Sequence, residues 1–178
     1  WAALPKVSAY VDISGVNGSP VKTVEPETLK VSLGGAPGRV KRIAPFEDSG
    51  EGIAYVLLVD VSKSLSSDQF GQMKETLAAF VDSMSPTDQA ALITFGSEVR
   101  TIQDFSPDRS RIKEKLAALA PTDEDTAFYG AVAQGISVAR AGTANVPRRR
   151  VIITLTDGVN DFAGGAGKDD IIKSLEQD

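Results

Sequence analysis

Residues 53–64 have the sequence IAYVLLVDVSKS, in which an unbroken apolar run is followed by polar residues. The apolar run, 53–59, does not alternate with polar residues, and this is typical of a strand buried on both faces in a parallel sheet. Asp60, Ser62 and Ser64 follow and bring a carboxyl group and two hydroxyl groups to the end of that strand, outside the buried run. In open α/β sheets, ligands bind at the carboxyl ends of the strands. We therefore expect a polar ligand site at this point.

Strand and helix patterns alternate through the chain that follows. Two further apolar runs, 90–95 and 151–155, predict buried strands, and the shorter, more polar run 99–102 predicts a strand at a sheet edge. Apolar residues recur at helical spacing in four segments, which are 67–84, 106–119, 128–139 and 171–175. This alternation predicts an α/β fold, a doubly wound and mostly parallel sheet with helices on both faces.

The first 50 residues have a different sequence pattern, in which prolines and glycines separate short runs that resemble β-strands. Three runs, 7–13, 28–33 and 39–43, carry alternating apolar and polar residues, which predicts strands with one face in water. The sequence Asn-Gly-Ser-Pro at 17–20 predicts a turn. Three short strands are too few for an independent sandwich. We therefore expect residues 1–50 to form a small β-rich segment and residues 51–178 to form the α/β domain.

The composition of the 178-residue chain narrows the chemistry that it can perform. Apolar residues make up 42% of it, which is enough to build a folded core. It contains neither Cys nor His. This excludes disulfide bonds, thiolate nucleophiles, iron–sulfur clusters, Ser-His-Asp catalysis and metal sites built on thiolate or imidazole. Any metal ion would be held by oxygen atoms, which favours Mg²⁺, Mn²⁺ or Ca²⁺.

Charge and hydropathy also exclude two kinds of partner. The net charge is −5 and the sequence has no basic block of the kind that contacts phosphates, so we do not expect nucleic-acid binding. No apolar run approaches the about 20 residues that a membrane-spanning helix needs, so we expect no direct membrane insertion by this fragment.

Two more polar groups are predicted to lie at the same sheet edge. Asp157, in the sequence Thr-Asp-Gly, follows the last apolar strand, and Thr126 lies at the start of the third helix. Together with Asp60, Ser62 and Ser64 they would supply two carboxylates and three hydroxyls, an oxygen-only set that suits a hard divalent cation. Each piece alone has a simpler explanation, since Asp and Ser after a strand often cap the next helix.

The complete set resembles the metal-ion-dependent adhesion site of von Willebrand factor type A domains. The resemblance covers 53–178 and includes the motif 60–64, Thr126 and the sequence 156–158 in the order of the family. It implies a doubly wound sheet with one antiparallel edge strand. It also implies that Ser62, Ser64 and Thr126 touch a metal ion directly, and that Asp60 and Asp157 reach it largely through water.

The resemblance further implies a function. Members of this family mostly bind proteins and rarely catalyse reactions, so we do not expect an enzyme. A bound Mg²⁺, or Mn²⁺ or Ca²⁺, would accept an Asp or Glu side chain from a protein partner. Residues 1–50 resemble the β segment that precedes such domains in secreted or membrane-anchored bacterial proteins, so we expect an extracytoplasmic location.

Two features depart from the family pattern. Asp125 stands where the family usually has Gly, and the acidic run 123–125 is interpreted as a solvated loop that caps the third helix. The family normally continues with two more strands and helices, so we expect this domain to lack its last elements. The strand 151–155 would then have an open edge.

Two alternative functions stay open at this point. One is a structural scaffold whose metal site is vestigial. The other is a Mg²⁺-dependent phosphotransfer enzyme with Asp60 as nucleophile. That chemistry needs a second acid two residues later, and Ser62 occupies that position.

Overall fold

The computed structural model describes residues 7–21, 23–141, 143–158 and 167–175. Residue contacts divide the chain into two compact units, Trp1–Glu51 and Gly52–Asp178. No helix in the described parts is both long enough and apolar enough to cross a membrane.

The first unit contains one small hairpin. Its strands β1 (Val31–Leu33) and β2 (Ala36–Gly38) pair antiparallel, and two short 3-10 helices cover Pro26–Thr28 and Phe46–Ser49. The predicted turn at 17–20 is confirmed, with Gly18 at a φ of 77° that favours glycine. The Val21 amide closes this turn by donating to the Ile13 carbonyl over 2.8 Å.

Most of the strands predicted for this unit are wrong. Residues 7–13 and 39–43 form no strand in the structure, and only Val31–Leu33 of the run 28–33 does. The alternating pattern predicts a sheet face that is half buried, but Val7 and Val11 are 65% and 67% exposed. A strand exists only where a second strand satisfies its backbone, and periodicity along one run carries no information about that partner.

The second unit is an α/β domain. Its elements in chain order are β3 (Ile53–Asp60), α1 (Ser67–Ser83), β4 (Gln89–Phe95), β5 (Val99–Ser106), α2 (Arg109–Ala117), α3 (Phe128–Arg140), β6 (Arg149–Leu155) and α4 (Lys168–Leu175). The sheet has the order β5-β4-β3-β6, with β3 parallel to both neighbours and β5 antiparallel to β4. The predicted α/β fold, with helices on both faces of a mostly parallel sheet, is confirmed.

Two apolar layers cover the two faces of this sheet. Leu57 and Val59 of β3 pack with Leu77 of α1 and Ile112 of α2 on one face. The alternate residues Val56 and Leu58 pack on the opposite face in a cluster that includes Ala131 of α3. Fully burying one such Leu or Val side chain stabilises the fold by about 1.5–3 kcal/mol. Burial on both faces explains why the apolar run of β3 is unbroken.

The last strand is less buried than its sequence predicts. Every residue of β6 is only partly buried, because among the described strands β6 pairs with β3 on one side alone. The predicted edge strand at 99–102 is confirmed but extends to Ser106.

Helix α1 begins with a capping box. The Ser66 hydroxyl accepts a hydrogen bond from the Gln69 amide over 3.3 Å, and the Gln69 side chain accepts one from the Ser66 amide over 3.0 Å. These bonds satisfy backbone donors that the helix itself leaves unpaired, so they fix where the loop 61–65 ends.

Candidate metal centre

Asp60 is the last residue of β3, and its side chain is fully enclosed. One carboxylate oxygen, Oδ1, accepts a hydrogen bond from the Ser62 amide over 2.8 Å. The other, Oδ2, accepts one from the Thr156 hydroxyl over 2.7 Å. The expectation that Asp60 and Ser62 lie outside the buried run is therefore wrong, since both are 0% exposed. The Asp60 carboxylate is held in one orientation by Ser62, in the loop after β3, and by Thr156, which follows β6.

The register of the sheet explains the bond between Asp60 and Thr156. Val59 pairs with Leu155 in the parallel ladder of β3 and β6, so the next residue on each strand is also adjacent. The Thr156 hydroxyl in turn accepts a hydrogen bond from the Gly158 amide over 3.1 Å. Asp157 lies between these two residues and is exposed, so it is at the same edge of the sheet as Asp60.

The two serines of the motif lie side by side. Ser62 Oγ and Ser64 Oγ are 2.8 Å apart and share a hydrogen bond. Adjacent ligands on an octahedral Mg²⁺ are about 3 Å apart, given metal–oxygen distances of about 2.0–2.1 Å. The spacing of the two hydroxyls therefore suits neighbouring positions around one such ion.

A second loop runs beside the motif and leads to Thr126. The Val61 carbonyl accepts hydrogen bonds from the Thr122 and Asp123 amides over 2.9 and 3.1 Å. The Lys63 amide donates to the Asp123 carbonyl over 2.7 Å. Thr126 follows on this loop and is 1% exposed, just before the N-terminus of α3.

The prediction that the acidic run on this loop is a solvated cap of α3 is wrong for the cap and for Asp123, whereas Glu124 and Asp125 are exposed. Asp123 is buried, and its carboxylate accepts hydrogen bonds from the Thr122 hydroxyl over 2.8 Å and from Arg100 Nη1 over 2.9 Å. Helix α3 begins after Ala127, and no side chain caps it. Glu124 instead pairs with Lys63.

The hydrogen bonds that Asp123 accepts determine the direction in which its pKa shifts. Burial by itself would raise the pKa of the Asp123 carboxyl, but the hydrogen bonds from Thr122 and Arg100 outweigh it and hold the pKa below its ordinary value. The hydrogen bond to Asp123 raises the pKa of the Arg100 guanidinium. Asp123 is therefore an ionised residue that fixes the loop before Thr126.

Sequence reasoning missed this role of Asp123, because its charged partner is distant in sequence. Arg100 belongs to β5, and only the antiparallel pairing of β5 with β4 brings it to the loop. A weak local signal exists at Gly96, which follows β4. A Cβ atom at Gly96 would lie 2.3 Å from the Cβ of Asp123, so only glycine fits there.

The donor set at this edge suits a hard cation. Within the described residues, no group of three or more Asp, Glu, His or Cys side chains is placed to hold a metal ion. A cation at this edge would therefore be held mainly by hydroxyl oxygens, with Asp60 and Asp157 as the nearby carboxylates. Such an all-oxygen set fits Mg²⁺ and related ions.

Comparisons with known proteins agree with the fold. The sequence profile of the von Willebrand factor type A domain matches residues 55–160. No curated protein matches the chain.

Solved structures give three informative likenesses. The von Willebrand domain of the type V pilus tip protein Mfa5 from Porphyromonas gingivalis is 19% identical, with a TM-score of 0.54 over 62% of this chain and 39% of that one. The conserved hypothetical protein BatB from Bacteroides thetaiotaomicron is 26% identical, with a TM-score of 0.54 over 64% of this chain and 57% of that one.

The third likeness is to proximal thread matrix protein 1 from the mussel byssus, in a structure with a zinc-occupied metal-ion-dependent adhesion site motif. It is 21% identical, with a TM-score of 0.58 over 71% of this chain and 33% of that one. This chain covers 57% or less of each of the three structures. Because Mfa5 and the byssus protein are only 19% and 21% identical to this chain, their likeness shows a shared fold and no more.

Proposed function

This chain belongs to the von Willebrand factor type A domain family, and we propose that it is a metal-dependent module that captures an acidic side chain of a partner protein. The family often mediates protein interactions. The proposal is supported most by the orientation of Asp60. Its buried carboxylate is held by Ser62 and Thr156, beside a pair of serine hydroxyls 2.8 Å apart.

Five residues are proposed to hold the ion, which are Asp60, Ser62, Ser64, Thr126 and Asp157. Mg²⁺ is the proposed ion, with Mn²⁺ or Ca²⁺ as substitutes, because every donor is an oxygen atom. When bound, the cation would supply a positive charge that neutral hydroxyls leave in place and that Asp60 and Asp157, proposed to reach it largely through water, offset only in part. That charge attracts an acidic ligand. The role of the protein is to keep these oxygens in place before the partner arrives.

The charges around the site support an acidic ligand. Glu124 is paired with Lys63, and Asp123 is paired with Arg100. Two of the three acids in the run 123–125 therefore have a basic partner, which reduces the repulsion that an incoming carboxylate would meet. Binding rather than catalysis is also supported by Ser62, which stands where a phosphotransfer enzyme would need a second acid.

The setting of the domain is proposed by analogy. One solved structure of this fold is from a pilus tip protein, and we place this chain in an extracytoplasmic protein on that basis. We further propose that residues 1–50 are a separate segment appended to the domain 51–178.

A paired peptide array tests the proposal. Each peptide carries a central Asp or Glu and has a counterpart with Asn or Gln, and the array is probed with the full chain in Mg²⁺ or in EDTA. The expected result is binding to acidic peptides in Mg²⁺ alone. Ser62→Ala is expected to remove this binding, whereas Ser85→Ala, an exposed serine after α1, retains it.

Two results would overturn the proposal. One is equal binding in Mg²⁺ and in EDTA, and the other is equal binding to acidic peptides and to their amide counterparts. The absence of Mg²⁺-dependent binding to every acidic peptide would count against it in the same way.

A further inference from the structure

The turn between β4 and β5 lies against the loop that carries Thr126. The Ala127 amide donates a hydrogen bond to the Gly96 carbonyl over 2.8 Å. The Asp125 amide donates one to the Ser97 hydroxyl over 3.2 Å. The residues on both sides of Thr126 are therefore bonded to this turn.

The same loop is also bonded to the serine motif. Asp123 of the loop forms a parallel bridge with Ser62. The Asp123 amide donates to the Val61 carbonyl over 3.1 Å, and the Asp123 carbonyl accepts a bond from the Lys63 amide over 2.7 Å. Asp123 is thus the point at which the loop meets the backbone of a proposed metal ligand.

The side chain of Asp123 links this point to β5. Its Oδ2 accepts a hydrogen bond from Arg100 Nη1 over 2.9 Å and a longer one from the Glu98 amide over 3.4 Å. The Asp123 side chain is only 6% exposed. Without Arg100, this enclosed carboxylate would lose its charged donor, and the loop would have to move to admit water.

The turn and the loop are in direct contact at Asp123. A Cβ atom at Gly96 would lie 2.3 Å from the Asp123 Cβ and 2.6 Å from Oδ2. The Asp123 side chain is therefore packed against the backbone of the turn on one side while it is bonded to Arg100. Such close packing transmits a displacement of Asp123 to the rest of the loop.

From these contacts we infer that Arg100 is a positioning residue of the proposed metal centre. Through Asp123 it keeps Thr126 in place relative to Ser62, so that both residues are arranged before an ion binds. Arg100 is itself a cation and acts through the loop without touching the ion. Its role in metal binding rests on the proposed function, whereas its role in ordering the loop does not.

Hydrogen exchange of the metal-free chain tests whether Arg100 orders the loop. Arg100→Met removes the charge and the donors but keeps an unbranched side chain. We expect the Lys63 and Ala127 amides, which bond to and from this loop, to exchange faster in this variant than in the unmodified chain. Glu98→Gln removes the other carboxylate that pairs with Arg100, at 3.2 Å, and should leave both rates unchanged.

Calorimetric titration of Mg²⁺ into the same variants tests the role at the metal centre. Arg100→Met is expected to weaken Mg²⁺ binding by about tenfold, as for other groups that orient a metal ligand. Adding Asp123→Asn to this variant should cause little further loss, because the two residues act as one pair. Glu98→Gln should bind normally. Ile112→Val, which removes a methyl group from the core at α2, should lose stability and keep its Mg²⁺ affinity.

Three results would overturn the inference. They are unchanged exchange of the Lys63 and Ala127 amides in Arg100→Met, an Mg²⁺ affinity of this variant equal to that of a binding-competent unmodified chain, and equal weakening by Glu98→Gln or Ile112→Val. If the unmodified chain binds no Mg²⁺, the proposed function fails, and the exchange rates of the metal-free chain still decide whether Arg100 orders the loop.

Discussion

Thr156 donates a hydrogen bond from its hydroxyl to Oδ2 of Asp60 over 2.7 Å, and this bond joins the carboxyl ends of β6 and β3. The two residues are far apart in sequence and meet because the strands are parallel neighbours in register. Asp60 is thereby oriented before any ligand binds. The proposed metal centre is thus organised by the sheet itself.

Replacing Thr156 by Val tests this orientation. The variant keeps the shape of the side chain but removes the donor to Asp60 and the acceptor for the Gly158 amide. We expect Mg²⁺ affinity to fall by about 10-fold to 100-fold, as for other groups that orient a metal ligand. Thr156→Ser keeps the hydroxyl and should bind normally. Calorimetry measures both, and normal affinity in Thr156→Val would contradict the orienting role.

Two serines that lie close together in sequence should respond differently to alanine. Ser64→Ala removes a hydroxyl of the proposed metal centre and should abolish Mg²⁺ binding with little change in the free energy of unfolding. Ser66→Ala removes the cap of α1 and should cost about 1 kcal/mol of stability while Mg²⁺ binding persists. Calorimetry and urea unfolding separate the two effects. The assignment of Ser64 to the metal centre is contradicted if Ser64→Ala loses stability and still binds Mg²⁺.

The stability provided by Asp123 should depend on pH. Its pKa is lower in the folded state than in the unfolded chain, so its contribution is present at neutral pH and is lost as the pH falls through the folded value. At about pH 7, Asp123→Asn should lower the free energy of unfolding by about 1–3 kcal/mol, the cost of unsatisfied buried groups. The deficit should shrink toward about pH 3, below the ordinary range of Asp.

Asp125→Asn is the control for this experiment. Asp125 is exposed, and its carboxylate accepts one long hydrogen bond among the described residues, from the Ser97 hydroxyl over 3.5 Å. Its replacement should change stability little at either pH. A deficit in Asp123→Asn that stays constant with pH would contradict the ionised state assigned to Asp123.

Two glycine-to-alanine substitutions should change the stability of the fold in opposite directions. In Gly96→Ala the new Cβ would lie 2.3 Å from the Cβ of Asp123, so the variant must displace the loop that carries Thr126 and should be destabilised. In Gly71→Ala the new Cβ meets no atom within 4 Å and lies inside α1. This variant should be stabilised by about 0.5–1 kcal/mol. Thermal unfolding measures both, and a stable Gly96→Ala variant would contradict the close approach.

Local sequence patterns were enough to predict the α/β domain. The apolar run of β3 and the motif that follows it lie within one short stretch, so periodicity and residue type predict both the strand and the polar edge. The capped start of α1 is equally local. The strands of the first unit could not be predicted in this way. Whether residues 7–13 form a strand depends on a partner strand elsewhere in the chain, and their own sequence carries no information about that partner.

The site was only partly predictable for a related reason. Asp60, Ser62 and Ser64 are close in sequence, and their proximity in the structure follows from that. The bond between Asp60 and Thr156 depends on strand order, and the pair of Asp123 and Arg100 depends on β5 folding back against β4. Such partners become visible only when the register is known.

Calorimetric titration of Mg²⁺ into the metal-stripped chain tests the central claim most directly, beside Asp60→Asn and Asp82→Asn. Asp82 is an exposed acid of α1 that pairs with Lys113, so its variant controls for the loss of one charge. We predict saturable binding of one ion by the unmodified chain and by Asp82→Asn, and none by Asp60→Asn. If the unmodified chain binds no ion, or if Asp60→Asn binds it equally well, the metal-dependent account is contradicted and the domain is a structural scaffold.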